Sequence, residues 1–242
     1  MKKTILPLLI SVFLMQCEKE NISSSTPHTS TPVAFVIPPH FPIIEQPETN
    51  KLTTEGIYLG RKLYYDPLLH PNQSQSCSSC HLQSEGFSSI TANSIPHVNM
   101  AWSTSFLWNG EIEGGLEDAM EFEVHEFFNT DFELLRQSQE YQTLFEEAFG
   151  TPEINLETTS KALAQFLRTM VSSNSDYDQF FRGEKQLTDS QYRGYLIYNS
   201  EKGDCFHCHG YPLLADNQFH NTGLDSVFGS QNWGRYEATG IS

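Results

Sequence analysis

The spacing of apolar side chains along the chain predicts a series of helices. Apolar residues recur at intervals of three and four residues in several segments, whereas the strict alternation typical of strands is rare. Thr53 or Thr54 can cap the first of these segments, and Asp66 followed by Pro67 ends it. The predicted helices cover residues 52–65, 115–128, 132–149, 156–171 and 190–198. The pattern therefore predicts a mainly α fold.

Two polar stretches interrupt this pattern. Residues 18–40 are rich in Ser, Thr, Pro and Asn and show no apolar period. We therefore expect a flexible tether over residues 18–41, with the folded part beginning near Pro42. Residues 70–99 are polar and loop-like around a pair of cysteines.

The N-terminus has the features of an export signal. Lys2 and Lys3 are followed by an apolar run that is too short to span a bilayer, and Cys17 comes directly after it. This arrangement resembles a bacterial lipoprotein signal, although a small residue is more usual than Gln16 before the lipidated cysteine. We expect residues 1–17 to be such a signal, so that the protein lies in the cell envelope, in the periplasm or at the outer membrane, and touches the membrane only through a lipid anchor. Plain secretion and coincidence remain the alternatives.

The charge of the chain narrows the choice of partners. Its 242 residues include 30 Asp and Glu against 14 Lys and Arg, which gives a formal net charge of −16. Such an acidic surface repels nucleic-acid phosphates and anionic lipid headgroups, so we expect no nucleic-acid partner. It favours a basic or locally basic protein partner, unless the charge serves only solubility.

Four of the five cysteines form two Cys-x-x-Cys-His motifs. The motifs consist of Cys77, Cys80 and His81, and of Cys205, Cys208 and His209. At this spacing two thiols can add to the two vinyl groups along one edge of a heme, and the adjacent histidine can bind the iron. A zinc site would leave both histidines unused, a thioredoxin-like pair would need a βαβ pattern, and structural disulfides remain open in an oxidising compartment. The sequence predicts two covalent c-type hemes, with His81 and His209 as iron ligands.

Beyond these motifs the sequence resembles the bacterial di-heme cytochrome c peroxidases, including the methylamine-utilisation di-heme enzymes. The resemblance runs from about Leu52 to the end of the chain and rests on residues 60–67, 77–87, 106–110, 116–118, 162–183, 210–213 and 219–223. It implies two cytochrome c-like heme domains packed against each other. The first would be the peroxidatic domain, residues 42–184. The second, residues 185–242, would be the start of an electron-transfer domain and incomplete, because family members continue further.

The resemblance also implies an activity. Hydrogen peroxide would be reduced to water at the heme of His81, with electrons that a small cytochrome c or cupredoxin delivers through the heme of His209. Trp108 falls where the family places a tryptophan between the hemes, as an electron relay or as core packing.

Cleavage of the peroxide bond also needs a group that moves a proton between the two oxygens. By family position Glu126 is the expected acid–base group. Glu121 and Glu123 are close rivals, because the alignment needs a gap there. His125 is a further alternative, and so is an ordinary solvated acid.

Several positions depart from the family pattern. Ala119 stands where the family often has a hydrogen-bonding glutamine, and His97 is either a removable sixth ligand of the first iron or a structural histidine. No methionine follows Met170, so the second iron would take its distal ligand from elsewhere, such as His220 or Tyr236. A non-catalytic electron-transfer lipoprotein and a di-heme oxidase of another substrate therefore remain alternatives. We claim no calcium site.

Overall fold

The structure, a computed structural model, describes residues 28–90, 94–221, 223, 227, 229 and 233–240. The expected signal over residues 1–17, with Cys17, lies outside the described residues. So does the first part of the expected tether.

The described part of the chain is mainly α-helical, as its apolar spacing predicts. Its helices are α1 (Thr54–Tyr65), α2 (Cys77–Cys80), α3 (Leu116–Phe122), α4 (Phe132–Arg136), α5 (Gln139–Phe149), α6 (Leu156–Arg168), α7 (Asp176–Phe181), α8 (Asp189–Tyr198) and α9 (Arg235–Thr239). Short 3-10 turns lie at Glu48–Asn50, Pro67–Leu69, Gln83–Glu85 and Met100–Trp102. One antiparallel hairpin joins β1 (Ser105–Phe106) to β2 (Ile112–Glu113). Among these residues no helix combines the length and the apolar character that a membrane crossing requires.

Helix α1 begins and ends where the sequence predicts. The side chain of Thr53 accepts a hydrogen bond from the backbone N–H of Gly56 at 3.0 Å, which satisfies one of the free amides at the helix start. Asp66 has extended dihedral angles at the other end, and its carboxylate caps the next turn by accepting from Leu68 N at 2.9 Å.

The prediction of one helix over residues 132–149 is wrong. Helix α4 ends at Arg136, and Ser138 caps a separate helix α5 by accepting from Tyr141 N at 3.4 Å. The apolar spacing continues across the break, so periodicity alone cannot reveal it. The sequence feature that indicates the break is Ser138, because serine is favoured at the start of a helix.

The structure also corrects the extent of the expected tether. Thr31 is tied to α1, because its carbonyl accepts from Thr54 N at 2.9 Å and its N–H and hydroxyl both donate to Glu55 at 2.8 Å. Phe41 is buried and packs edge-on against Trp102, with ring centroids 4.9 Å apart. A Ser- and Pro-rich composition gives no sign of these contacts. Residues from Thr31 onward therefore belong to the folded domain.

The core lies where α1 packs against α6. A Cβ at Gly60 would collide with the carbonyl of Ala162, so glycine is what allows the two backbones to approach this closely. The side chains that fill the interface and the space beside it are almost fully buried: Leu59, Leu63, Tyr64, Tyr141, Phe145, Leu163 and Leu167. This core holds α1 and α6 rigidly on one side of the cavity described below.

A buried ion pair fixes α3 to α6. Nη2 of Arg168 lies 2.8 Å from each carboxylate oxygen of Glu117, and the two side chains are 5% and 19% exposed. Asn50 donates to the same carboxylate at 2.6 Å and accepts from Gln165 at 2.9 Å. These hydrogen bonds join α3 to α6 and define the position of α3.

The C-terminal stretch packs against the preceding helices through aromatic and charged contacts. Phe181 of α7 stacks on Tyr211, with centroids 4.0 Å apart and planes at 7°, and packs edge-on against Tyr195 of α8 at 6.2 Å. Nη2 of Arg235 donates to Glu113 at 2.6 Å. The predicted boundary between residues 184 and 185 falls between α7 and α8, and these contacts cross it.

Replacing Glu117→Gln is expected to lower the free energy of unfolding by about 3 kcal/mol, because the guanidinium of Arg168 would stay buried without its counter-charge. Urea unfolding followed by circular dichroism measures the loss. Glu133→Gln is the matched control, since Glu133 pairs with Arg136 at the exposed surface and its loss should stay below about 1 kcal/mol. Equal losses in the two variants would contradict the structural role of the buried pair.

Candidate functional site

A cavity of about 510 Å³ opens beside the first Cys-x-x-Cys-His motif. Cys77 and Cys80 of α2 and the following His81 form part of its wall, and α3 forms another part. Its size lies in the range of small-molecule and cofactor sites. Most of the remaining wall is apolar: Tyr64, Met100, Phe106, Met120, Phe122, Phe127 and Phe128. The cavity therefore suits a large apolar ligand that is joined to the chain at the motif.

The ring of His81 is held by hydrogen bonds to backbone carbonyl groups, those of Phe87 and Ile95. Its Nδ1 lies 3.1 Å from the carbonyl oxygen of Phe87, and because a carbonyl only accepts, Nδ1 carries the proton. Burial lowers the pKa of His81, which keeps its imidazole neutral at neutral pH. A neutral imidazole with a protonated Nδ1 presents the Nε2 lone pair, which is what an iron ligand requires.

The second motif repeats this arrangement. Nδ1 of His209 lies 2.9 Å from the carbonyl of Leu214, and Tyr198 donates to the carbonyl of His209 at 2.6 Å. The accepting carbonyls follow the two histidines by six and five residues. Sequence reasoning did not predict Phe87 and Leu214 as partners, because a backbone acceptor is set by chain conformation and not by residue type.

The alternatives to heme account for less of this geometry. The four motif cysteines are free thiols, with no disulfide between them. Cys208 lies with Asp216 and His220 in a group whose ligand atoms are within 4.8 Å of one another, which zinc could use. That set leaves Cys205 and His209 unused, and within the described ranges the first motif belongs to no such group. The donor sets and their hydrogen bonds fit heme at both motifs.

The structure brings Glu123 to the cavity and not Glu126. Glu123 lies one turn beyond Ala119 and Met120 on the face of α3 that lines the cavity, and burial raises its pKa to about 7. The side chain of Glu126 is 61% exposed and lies 3.4 Å from the exposed His125. Glu126 is therefore exposed and is not among the residues that line this cavity.

A π-turn explains this displacement. Residues Glu123–Phe127 form it, and Phe128 N donates to the carbonyl of Glu123 at 2.8 Å, five residues back. With this wider turn Phe127 and Phe128 line the cavity together with Glu123, and Glu126 is exposed on the outside. Glu121 is exposed on the outer face as well. The apolar periodicity does not reveal a π-turn. The gap that the alignment with the family needs at these residues is the sequence feature that indicates it.

Trp108 lies at the turn of the hairpin and at the mouth of the same cavity. It is 60% exposed, and the left-handed backbone of Leu107 and Gly110, with φ of 64° and 67°, shapes the turn that carries it. A Cβ at Gly234 would lie 3.7 Å from Cζ3 of Trp108. The indole therefore lies between the first cavity and the C-terminal stretch.

The remaining candidate ligands have contacts of their own. The ring of His97 stacks on that of His81, with centroids 3.5 Å apart and planes at 18°. His97 therefore packs directly on the expected iron ligand. His220 lies 2.7 Å from Asp216, and Tyr236 packs on Trp233 at 5.3 Å. Neither contact involves His209.

The chain is similar to several known proteins. The family profile described as Di-haem cytochrome c peroxidase matches residues 54–186, more than half of the chain. The methylamine utilization protein MauG of Methylophilus methylotrophus is 31% identical over 203 residues, covering 76% of this chain and 60% of that protein. The cytochrome-c peroxidase IdrP2 of Denitromonas iodatirespirans is 31% identical over 199 residues, covering 74% and 53%. The chain thus spans less than two thirds of the length of these relatives.

A solved structure gives the same result for the fold. The crystal structure of a MauG-like protein associated with microbial copper homeostasis superposes with a TM-score of 0.75 at 28% identity, covering 86% of this chain and 71% of that one. The region that the family profile matches, residues 54–186, includes the residues that line the cavity, and the helices pack as cytochrome c-like heme domains. The chain therefore belongs to the di-haem cytochrome c peroxidase family.

Proposed function

We propose that the protein binds two covalent hemes and reduces hydrogen peroxide to water at the first of them. The observation that supports this most directly is the pairing of Glu123 with His81 in one apolar cavity. Glu123 is an acid whose pKa is raised to about 7, and His81 is a neutral imidazole whose Nδ1 donates to a backbone carbonyl. A peroxidase needs these two groups, an iron ligand and a nearby acid–base residue.

The motifs would hold the hemes through thioether bonds to the four cysteines and through Nε2 of His81 and His209. Heme iron supplies, when bound, the electron-transfer chemistry and the position at which peroxide reacts. The overall reaction consumes two electrons and two protons for each peroxide and yields two waters. The net charge of −16 suits a small cytochrome c or cupredoxin with a basic docking surface as the electron donor.

The residues of the cavity would manage the protons. Ionised Glu123 accepts a proton from one peroxide oxygen and returns it to the other, so that water can leave. A pKa near neutrality keeps both forms of the carboxyl populated at physiological pH. Phe127 and the buried Phe128 also line this cavity and add apolar surface to it.

Heme attachment is tested by mass. The parent protein, matured in a bacterial envelope, is expected to carry the added mass of two hemes, and Cys205→Ser/Cys208→Ser the mass of one. Cys17→Ser is the control: it should keep both hemes and lose only the lipid of the proposed envelope anchor. Mass spectrometry with a pyridine hemochrome assay gives the count. A parent protein without heme at either motif would rule out the proposed function.

Replacing Glu123→Gln is expected to slow the reaction with hydrogen peroxide by about 10²–10⁴-fold, the usual contribution of an acid–base group. In the parent the rate should rise with pH through about 7, because only the ionised carboxyl accepts a proton. The variant should lose this pH dependence. Stopped-flow absorbance measures both. The variant is needed for this assignment because other titratable side chains also line the cavity: Tyr64, Cys77, Cys80, His81, His97 and Glu111.

Glu126→Gln decides between the two carboxyl groups in the same assay. Because Glu126 points to solvent, we expect its variant to react with peroxide at the parent rate. If Glu126→Gln reacted slowly with peroxide while Glu123→Gln reacted at the parent rate, Glu126 would be the acid–base group.

Trp108 is the proposed electron relay, since it lies between the first cavity and the C-terminal stretch. Trp108→Phe is expected to lower steady-state turnover with an electron donor while the direct reaction of the protein with peroxide keeps its rate. Stopped-flow and steady-state measurements on one preparation separate the two steps. Parent-like turnover would instead assign Trp108 to packing.

A di-heme oxidase acting on another substrate is the second candidate. Ala119 favours it, because this buried position in the cavity wall offers no hydrogen bond to peroxide. A rapid single reaction with peroxide, followed by negligible turnover with any small redox donor, would support this candidate over the peroxidase.

A further inference from the structure

The proposed mechanism does not use His97, a histidine of the first cavity that contacts the proposed iron ligand. Its ring lies almost parallel to that of His81, with centroids 3.5 Å apart and planes at 18°. The two rings therefore meet face to face. His81 cannot rotate about its Cβ–Cγ bond without colliding with this neighbour.

His97 is itself held in place by several contacts. The hydroxyl of Tyr64 lies 3.1 Å from Nδ1 of His97, and Tyr64 is 1% exposed and packs edge-on against Phe166 at 5.3 Å. The backbone N–H of His97 donates to the carbonyl of Phe87 at 3.1 Å. That carbonyl also accepts from Nδ1 of His81. One acceptor thus links the two histidines, and the rigid core of α1 and α6 holds the second ring against the first.

The second motif has no counterpart to this contact. His209 has the same hydrogen bond to a backbone carbonyl, but no aromatic ring in the described part of the chain stacks on it. The hydrogen bond alone is therefore common to both motifs, and the stacked ring distinguishes the first. His97, which provides this stacked ring, lines the same cavity as Glu123, where we propose that peroxide reacts.

We propose that His97 is a positioning residue for the iron ligand of the first heme, and that its stacked ring sets the rotation of the His81 imidazole about the iron–nitrogen bond. This rests on the proposed function in one respect, since it requires heme at the first motif. Outer partners of this kind tune metal-binding histidines, and their loss commonly costs 10- to 100-fold in affinity or activity. Here the contact acts through the ring face and not through a hydrogen bond to His81.

The test removes the flat ring and then restores it. In His97→Ala we expect the iron–histidine stretching band of the reduced first heme to shift and broaden in resonance Raman spectra, because His81 gains rotational freedom. In His97→Phe, which keeps a flat ring and loses only the hydrogen bond to Tyr64, the parent band should return. His125→Ala is the control, since that side chain is 66% exposed and lies beside the similarly exposed Glu126. The Raman band is the readout if the reduced iron is five-coordinate. If the iron is six-coordinate, the low-spin EPR lines of the oxidised protein are the readout for the same rotation of His81.

A purely structural role for His97 would give a different result. It would lower thermal stability in His97→Ala while the Raman band and EPR lines kept their parent positions and widths, and that outcome overturns the proposal. If His97→Ala does not fold, His97→Leu fills the space without a flat ring and should show the same broadening. Parent-like spectra in His97→Leu would likewise overturn it.

Mass spectrometry of peptide 77–81 on the same samples separates this proposal from the proposed function. Heme present with unchanged spectra contradicts only the role of His97. Heme absent from the parent contradicts both.

Discussion

A hydrogen bond from a histidine Nδ1 to a backbone carbonyl determines what each motif can do. The Nδ1–oxygen distances are 3.1 Å for His81 and 2.9 Å for His209, and in each the proton on Nδ1 makes Nε2 the nitrogen that carries the lone pair. Without it the imidazole could turn either nitrogen toward a metal. The acceptors, Phe87 and Leu214, are backbone groups, so the chain conformation after each motif is as much a part of the site as the cysteines.

The rest of the fold holds His81 in a fixed position relative to the opposite wall of the first cavity. Tyr64, on α1, contacts the ring of His97 and packs against α6 through Phe166. The Arg168–Glu117 pair ties α3 to the same helix α6. Both walls of the cavity are thus anchored to one helix. This common anchor is why the separation between the motif and Glu123 is set by the core and not by the loops between them.

The sequence predicted what depends on residue type and spacing, and missed what depends on backbone detail. The Cys-x-x-Cys-His motifs and most helices follow from fixed spacings, such as the caps and stop of α1 at Thr53 and Asp66. The π-turn at Glu123–Phe127 does not, because one extra residue in a turn leaves the apolar pattern intact while it changes which carboxyl faces inward. The docking of Thr31 and Phe41 was hidden in the same way, since tertiary contacts hold a segment whose composition alone suggests disorder.

The apolar wall of the first cavity has two effects with one physical origin. It suits a porphyrin because it offers surface that water solvates poorly. The same poor solvation disfavours a charged carboxylate, which raises the pKa of Glu123 to about 7, and disfavours a charged imidazole, which lowers the pKa of His81. Desolvation shifts the pKa of the carboxyl upward and the pKa of the imidazole downward. Both shifts favour the proposed chemistry, because the carboxyl can exchange a proton at neutral pH and the histidine stays neutral to bind iron. Binding of the cofactor and control of the proton are therefore consequences of a single desolvated surface.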